Sequence, residues 1–150
     1  MASVISDGIG FCAVASSGGL DRWGNGTLGQ LGNGTRYVSG GRGSAVPVAV
    51  VGPDDVGTLS AVAGAVGEGD GFCALLDSEA VDYWGVDTDG QLGNGIVYQP
   101  GKQGSDIPVA VDDVGREPHR PATLPTSAPP DAGSGIGRPG CYLVSFTSPQ

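Results

Sequence analysis

Short apolar segments alternate with turn residues along most of the chain. The first sixty residues contain four such segments, at 11–15, 20–23, 46–51 and 59–63. Segments of this length are typical of β-strands and too short for helices. Residues 16–19 read Ser-Ser-Gly-Gly and separate the first two segments as a hairpin turn does. Pro47 opens the third segment, where its missing N–H costs a sheet least. The pattern predicts short antiparallel strands.

The same pattern occurs twice, at a spacing of 61 residues and without a gap. The matched segments are Gly-Phe-Cys-Ala at Gly10 and Gly71, Trp-Gly at Trp23 and Trp84, Gly-Gln-Leu-Gly-Asn-Gly at Gly29 and Gly90, and Pro-Val-Ala-Val at Pro47 and Pro108. One register held over about a hundred residues indicates a tandem duplication. We place the two repeats at about 1–61 and 62–115. Four short strands in each repeat, together with the Trp-Gly pair, favour an all-β fold with one small propeller sheet per repeat.

These motifs resemble the repeat of the regulator of chromosome condensation family. In that repeat Cys-Ala precedes Trp-Gly, and Gly-Gln-Leu-Gly follows. The resemblance covers residues 1–115 and implies a seven-bladed β-propeller whose repeats each contribute strands to two adjacent blades. The signature residues are Cys12, Trp23, Gly24, Gly29, Gln30, Leu31, Gly32, Cys73, Trp84, Gly85, Gly90, Gln91, Leu92 and Gly93.

The chain departs from that family pattern at two places in each repeat. The histidine often found two residues before the cysteine is replaced by Gly10 and Gly71. A second cysteine, which many bacterial relatives carry just before the tryptophan, is replaced by Arg22 and Tyr83. The disulfide within a blade that the resemblance implies is therefore out of reach.

The composition agrees with a turn-rich β-protein. Glycine supplies 29 and proline 11 of the 150 residues, and both are unfavourable inside helices. A helical bundle, a coiled coil and collagen are excluded, and we expect no helix longer than about two turns. No apolar run reaches the roughly 18 residues that cross a membrane. The first residues lack the basic and apolar regions of a signal peptide, so the sequence leaves the compartment open. Bacterial relatives in the resembled family are often secreted or located at the cell surface.

The net charge is −9, and the acidic excess lies in the repeats. Residues 1–115 contain fourteen acidic and four basic side chains, whereas residues 116–150 contain two acidic and three basic ones. A surface of this sign repels the nucleic-acid backbone, so we expect no nucleic-acid contact.

The register of the repeats breaks after residue 115. Six of the eleven prolines fall within 116–140, which predicts a poorly ordered linker or enlarged loop. Residues 141–150 begin with Cys141 and resemble the start of a third repeat. The first copy starts mid-unit, and the strand before it is expected to be absent. Two repeats bury little surface, so we expect either a piece of a longer propeller or a ring closed by self-association, and not a stable monomer.

Two motifs with known chemistry occur in one copy of the repeat and not in the other. Residues 24–29 fit the Gly-x-Gly-x-x-Gly nucleotide fingerprint, but the middle glycine becomes Asp87 in the second copy and no helix pattern follows. Asp87 and Asp89 resemble part of a calcium loop, but Gly85 and Ile96 stand where acidic residues are required. Both motifs are interpreted as turns, with weak cation binding as the alternative for the second. We expect no cofactor and no metal.

The histidine and the cysteines offer a weak case for a site. His119 lies among prolines, which cannot orient it for catalysis. With Cys12, Cys73 and Cys141 it could form a Cys₃His zinc site, but no two of these ligands are close in sequence. The cysteines are interpreted as small buried hydrophobic residues on equivalent strands. The tryptophans are interpreted as buried anchors at equivalent positions. The glycosylation patterns at positions 25 and 33 are interpreted as turns.

The sequence favours a non-catalytic protein-interaction or scaffold module whose loops bind an unknown protein partner. A guanine-nucleotide exchange or regulator role is the alternative that the family resemblance implies. An enzyme is a further alternative, because paired carboxylates can perform acid–base chemistry. Its candidate residues are Asp54, Asp55, Asp112 and Asp113.

Overall fold

A computed structural model describes residues 3–38, 41–68 and 70–112. The predicted linker at 116–140 and the third-repeat start at 141–150 lie outside the described residues. The same is true of His119 and Asp113.

Eight strands form two four-stranded antiparallel sheets. The first sheet has the order β1 (Ser3–Ser6), β2 (Gly10–Val14), β3 (Leu20–Asn25) and β4 (Gly43–Ala49). The second has the order β5 (Val62–Glu68), β6 (Gly71–Leu76), β7 (Val81–Val86) and β8 (Gly104–Ala110). Each strand pairs with the next along the chain, so each sheet is a meander made by one repeat. The prediction of four short antiparallel strands in each repeat is confirmed.

The prediction of a fourth strand at 59–63 in the first repeat is wrong in both the position of the strand and the sheet to which it belongs. The segment at 59–63 contributes only its last two residues to β5, which starts the second sheet. Ala61 has a φ of 57°, and this left-handed backbone separates Leu59 from the strand. The first copy does contain the corresponding strand, because β1 occupies in the first sheet the place of β5 in the second.

Each tryptophan lies at an irregularity in the strand ladder. The register between β3 and β4 shifts between Arg22 and Gly24, and that between β7 and β8 shifts between Tyr83 and Gly85. Pro47 lies inside β4 opposite this shift and does not open the strand as expected. β4 is an edge strand and the ladder is interrupted there, so the missing N–H of the proline removes no ladder bond.

Helical structure is nearly absent from the described residues. It consists of one three-residue 3₁₀ turn at Pro53–Asp55, which agrees with the expectation of no helix longer than two turns. Among the described residues, none of the helical structure is long and apolar enough to pass through a bilayer.

The hydrophobic core lies between the two sheets. Alternate residues of β2 and β3 point toward the second sheet, and alternate residues of β6 and β7 point back. The buried cluster consists of Cys12, Val14, Leu20, Val50, Leu59, Val62, Phe72, Ala74 and Trp84. The two sheets therefore stack face to face.

Candidate interaction surface

The contact between the sheets is built around Trp84. This side chain is fully buried and stacks on Phe72, with ring centroids 6.0 Å apart. Its Nε1–H donates a hydrogen bond of 2.9 Å to the carbonyl oxygen of Gln30, which belongs to the first repeat. Burial of an aromatic side chain with its polar atom satisfied is a strongly stabilising arrangement.

The residues that hold Trp84 form a loop at 26–34, which we name the first signature loop. A Cβ atom at Gly32 would lie 2.6 Å from Nε1 of Trp84, so only glycine lets the loop approach the ring this closely. A Cβ atom at Gly29 would lie 2.8 Å from the Cα of Asp106 in β8. The Gln30 side chain accepts a hydrogen bond of 2.8 Å from the Leu28 backbone N–H, which supports the turn from within. The Gly-Gln-Leu-Gly motif thus packs one sheet against the next.

Arg22 contributes to the same contact, and the sequence did not reveal it. Its guanidinium carbon lies 3.3 Å from the centroid of the Phe72 ring, a cation–π contact between the sheets. One terminal nitrogen forms an ion pair of 3.0 Å with Asp7, and the other donates a hydrogen bond to the Gln30 carbonyl oxygen. Burial lowers the pKa of Arg22 to about 10, although Asp7 opposes that shift. Arg22 is a charged residue in an apolar repeated segment, and this was the only available signal.

Polar contacts complete the inter-sheet contact at its rim. Arg36 donates a hydrogen bond of 2.7 Å to the Gly104 carbonyl oxygen and lies 3.9 Å from the Asp106 carboxylate. Gln30 donates a weak hydrogen bond of 3.4 Å to Asp70. These pairs fix the position of the signature loop over the second sheet.

The opposite side of the first sheet, which we name the outward face, carries the same aromatic pair but is not covered. Phe11 and Trp23 stack with centroids 5.7 Å apart, as Phe72 and Trp84 do. Phe11 is nevertheless 45% exposed and Trp23 is half-buried, whereas Phe72 is 0% exposed. The prediction that both tryptophans are buried at equivalent positions holds for Trp84 and is wrong for Trp23. The reason is that no neighbouring sheet lies over Trp23 in the described residues.

The outward face extends beyond the aromatic pair. Val4 is exposed and shares the side of Phe11, because it pairs with Ala13, two residues along β2. Ile9 is also exposed, and it stands in the first repeat at the position that Asp70 has in the second. Ala45 is exposed at the position that corresponds to Asp106.

The second signature loop, residues 87–95, repeats the first but has no sheet beneath it in the described residues. Gln91 is exposed where Gln30 is fully buried. Gln91 still accepts a hydrogen bond of 2.8 Å from the Asp89 N–H, so the loop keeps the same local turn. Leu92 is buried, and Val97 just after the loop is 58% exposed.

The two described cysteines occupy equivalent positions in the middle strands. Cys12 and Cys73 are both buried, and no disulfide links them. Burial raises the pKa of the Cys12 thiol to about 11, so this thiol is neutral at physiological pH.

The carboxylates of the enzyme alternative lie in exposed turns. Asp54 and Asp55 belong to the 3₁₀ turn, and Asp112 follows β8. Asp55 packs against Gly34, and Asp112 packs against Gly95, so these two side chains lie over the two Asn-Gly turns. Asp113 lies outside the described residues.

The nucleotide-like and calcium-like motifs both form turns. In the first, Asn25 accepts hydrogen bonds of 3.0 and 2.9 Å from the backbone and hydroxyl of Thr27, and no helix follows in residues 26–38. In the second, Asp87 is fully buried while Asp89 is exposed. Within 3–38, 41–68 and 70–112, no group of three or more His, Cys, Asp or Glu side chains is arranged to hold a metal ion.

Comparison with known proteins gives a likeness at the level of fold. No family model and no curated protein matches the chain. A solved structure of Kap60 bound to yeast RCC1 (Prp20) is similar over 72% of this chain and 22% of that one, with 21% identity and a TM-score of 0.55. A structure of Prp20p from Saccharomyces cerevisiae is similar over 75% of this chain and 26% of that one, with 15% identity and a TM-score of 0.60.

The chain thus spans about a quarter of the length of these solved structures. In this chain the described strands form two four-stranded meander sheets. The chain therefore has the β-propeller repeat fold of RCC1.

Proposed function

We propose that this chain is a non-catalytic protein-interaction module that binds a protein partner over the outward face of its first sheet. One observation carries the proposal. Phe11 and Trp23 are partly exposed, whereas the identical pair Phe72 and Trp84 is completely buried by the first sheet and its signature loop.

Contiguous exposed apolar and aromatic side chains are characteristic of interaction sites on proteins. The outward face combines Phe11 and Trp23 with Val4 and Ile9, and it offers aromatic stacking and an indole N–H donor. Aromatic residues with one polar atom are enriched where proteins meet. A protein loop that supplies a carbonyl acceptor, as Gln30 does for Trp84, suits this face.

The similar structures support protein binding as a use of this fold. One of them is described as bound to Kap60, and the other is described with its binding properties to Gsp1p and histones. The identity of the partner of this chain does not follow from those partners.

The test compares three forms of the full chain as immobilised baits. They are the native chain, Phe11→Asp on the outward face, and Val56→Asp as a matched control. Val56 is 73% exposed and directly follows the 3₁₀ turn, which contacts β8 of the second sheet. Circular dichroism first verifies that all three fold alike. We expect a defined set of proteins to bind the native and control baits and to be lost from Phe11→Asp. Equal capture by all three baits would overturn the proposal.

A further inference from the structure

The inter-sheet contact has two halves, and the described residues contain a second copy of each half, here called unused because none of the described residues covers it. In the observed contact, the first signature loop holds Trp84 of the following sheet. Arg22, in β3 of the first sheet, covers the Phe72 ring. The second signature loop repeats the Gly-Gln-Leu-Gly-Asn-Gly sequence of the first, and the outward face repeats the Phe and Trp that are buried in the observed contact. The unused halves lie on different sheets, so within one copy they face away from each other.

Where the unused halves differ from the used ones, the substitution on the loop side is accompanied by a matching substitution on the sheet side. In the observed contact, Arg36, two residues after the first signature loop, faces Asp106 of the second sheet at 3.9 Å. At the equivalent positions, Val97 follows the second signature loop and Ala45 lies on the outward face. Both members of an ion pair are thus replaced by apolar residues. If only one member had changed, the contact would leave a charge without its partner, which is unfavourable in a partly buried interface.

A similar change affects the aromatic centre of the contact. Tyr83 stands at the position of Arg22, which covers Phe72 in the observed contact. At the outward face the aromatic ring at that place is Phe11, so a tyrosine ring would stack on a phenylalanine ring. Ile9 replaces Asp70, which removes a second charge from the same side.

We propose that the second signature loop of one copy of this chain packs on the outward face of another copy, and that copies thereby associate head to tail. The proposal rests on the proposed function, because it names the partner of the outward face. Such a contact is heterologous, so it either closes into a ring or continues as a filament. Each copy supplies two sheets, and propellers close with about 4 to 8 blades, which corresponds to rings of two, three or four copies.

The first experiment measures the mass of the full chain in solution by analytical ultracentrifugation over a range of concentrations. We expect concentration-dependent assemblies whose masses are whole multiples of one copy. Association should strengthen with salt, because the acidic repeats repel one another at low ionic strength. A monomer at all concentrations and salt levels would overturn the proposal.

The second experiment restores the ion pair at the proposed contact. Ala45→Asp alone and Val97→Arg alone are each expected to weaken association, because each places one charge opposite an apolar residue. The double variant carries both charges, which can form an ion pair across the contact. Its affinity for other copies of itself should be roughly fivefold higher than that of the more weakly associating single variant, as expected for a partly exposed ion pair. Additive losses in the double variant would show that the two positions do not meet, and would refute the proposal.

The third experiment distinguishes head-to-tail from face-to-face association. Phe11→Asp blocks the outward face. Gly90→Asn blocks the second loop, because the equivalent Gly29 approaches backbone atoms of the next sheet. A Cβ atom at Gly90 would have no atom of the described residues closer than 3.9 Å, so the substitution fits within one copy. Asparagine tolerates the φ of 82° at this position.

Each blocked variant alone should remain monomeric, and an equimolar mixture should form a dimer that grows no further. The dimer uses the intact outward face of one variant and the intact loop of the other. Self-association of Gly90→Asn alone would indicate that two outward faces meet, and would refute the head-to-tail arrangement. If none of the forms associates but Phe11→Asp still loses its protein partners, this inference fails while the proposed function stands.

Discussion

Replacing Trp84 should destabilise the protein far more than replacing Trp23, although the two residues occupy the same position in identical Trp-Gly motifs. Trp84 is buried between the sheets, and its N–H donates to the Gln30 carbonyl oxygen at 2.9 Å. Trp23 is half-buried on the outward face. The comparison therefore isolates the effect of the neighbouring sheet from that of the local sequence.

The expected magnitudes follow from burial. Truncation of a buried tryptophan to alanine costs about 3 to 5 kcal/mol, because it leaves a cavity and removes the indole hydrogen bond. Trp84→Ala should fall in that range, and Trp23→Ala should cost roughly half as much, in proportion to the area that it buries. Since a domain of this size has about 5 to 15 kcal/mol of stability, Trp84→Ala takes much of the total.

The assay is urea unfolding followed by circular dichroism at a protein concentration low enough to keep the chain monomeric. The free energy of unfolding falls by about 1 to 3 kcal/mol per molar urea, so the unfolding midpoints of Trp84→Ala and Trp23→Ala should differ by about 1 M. If Trp84→Ala does not fold, Trp84→Phe and Trp23→Phe replace the alanine variants. The first should cost about 1 to 2 kcal/mol, mainly through the lost hydrogen bond, and the second less than about 0.5 kcal/mol.

Fluorescence of the same phenylalanine variants gives an independent measurement, because the chain contains two tryptophans. The emission of Trp84 in Trp23→Phe should resist quenching by acrylamide, and that of Trp23 in Trp84→Phe should be quenched readily. Equal destabilisation of the two variants, or equal quenching, would refute the reasoning that the first sheet alone buries Trp84.

Three further predictions concern single positions. Gly32→Ala should cost about 2 to 4 kcal/mol, because its Cβ would lie 2.6 Å from Nε1 of Trp84 and the φ of 64° adds strain. Gly90→Ala is the control, because Gly90 has a φ of 82° but no described atom closer than 3.9 Å to an added Cβ, and it should cost only about 1 to 2 kcal/mol. Equal losses of stability in the two variants, measured by thermal unfolding, would contradict a close approach of Gly32 to Trp84. Asp87→Ala should raise stability by about 1 to 3 kcal/mol, because both carboxylate oxygens of Asp87 are buried without a hydrogen-bond partner in the described structure, and a lower melting temperature would contradict this. The folded pKa of Cys12 is about 11 and the ordinary value is 9.0, so its stabilising contribution is complete below pH 9 and is lost as the pH rises to 11. Between pH 9 and 11, the free energy of unfolding of the native chain should therefore fall by about 2 to 3 kcal/mol more than that of Cys12→Ala. Parallel pH profiles of stability for the two proteins would contradict this prediction.

The sequence predicted the strands that carry a clear apolar run, but it gave no segment for β1 and placed β5 wrongly. β2 and β3 are short apolar segments separated by a Ser-Ser-Gly-Gly turn, so local pattern was sufficient. β5 contains Gly64 and Gly67 and lacks clear alternation, so its pattern was weak. Its pairing with β6 decides the conformation, and that pairing cannot be read from the segment itself.

The candidate surface was predictable only in part, because burial depends on distant residues. Trp23 and Trp84 have the same local sequence, and only the position of the neighbouring sheet makes one half-buried and the other buried. Arg22 is a charged residue whose burial requires Asp7 from one turn and Phe72 from the other sheet. Contacts of this kind arise between segments far apart in sequence, and composition or spacing gives no measure of them.

The charge pattern of the two repeats also opposes the wrong pairing of copies. If the first signature loop of one copy packed on the outward face of another, Arg36 would face Ala45 and lose the carboxylate of Asp106. If the second loop packed on the second sheet, Val97 would face Asp106 and leave that carboxylate without Arg36. Each exchange separates an ion pair and places one charge against an apolar residue, which disfavours it relative to the matched arrangement. Two nearly identical loops can therefore select different sheets by the match of a single pair of side chains at the rim.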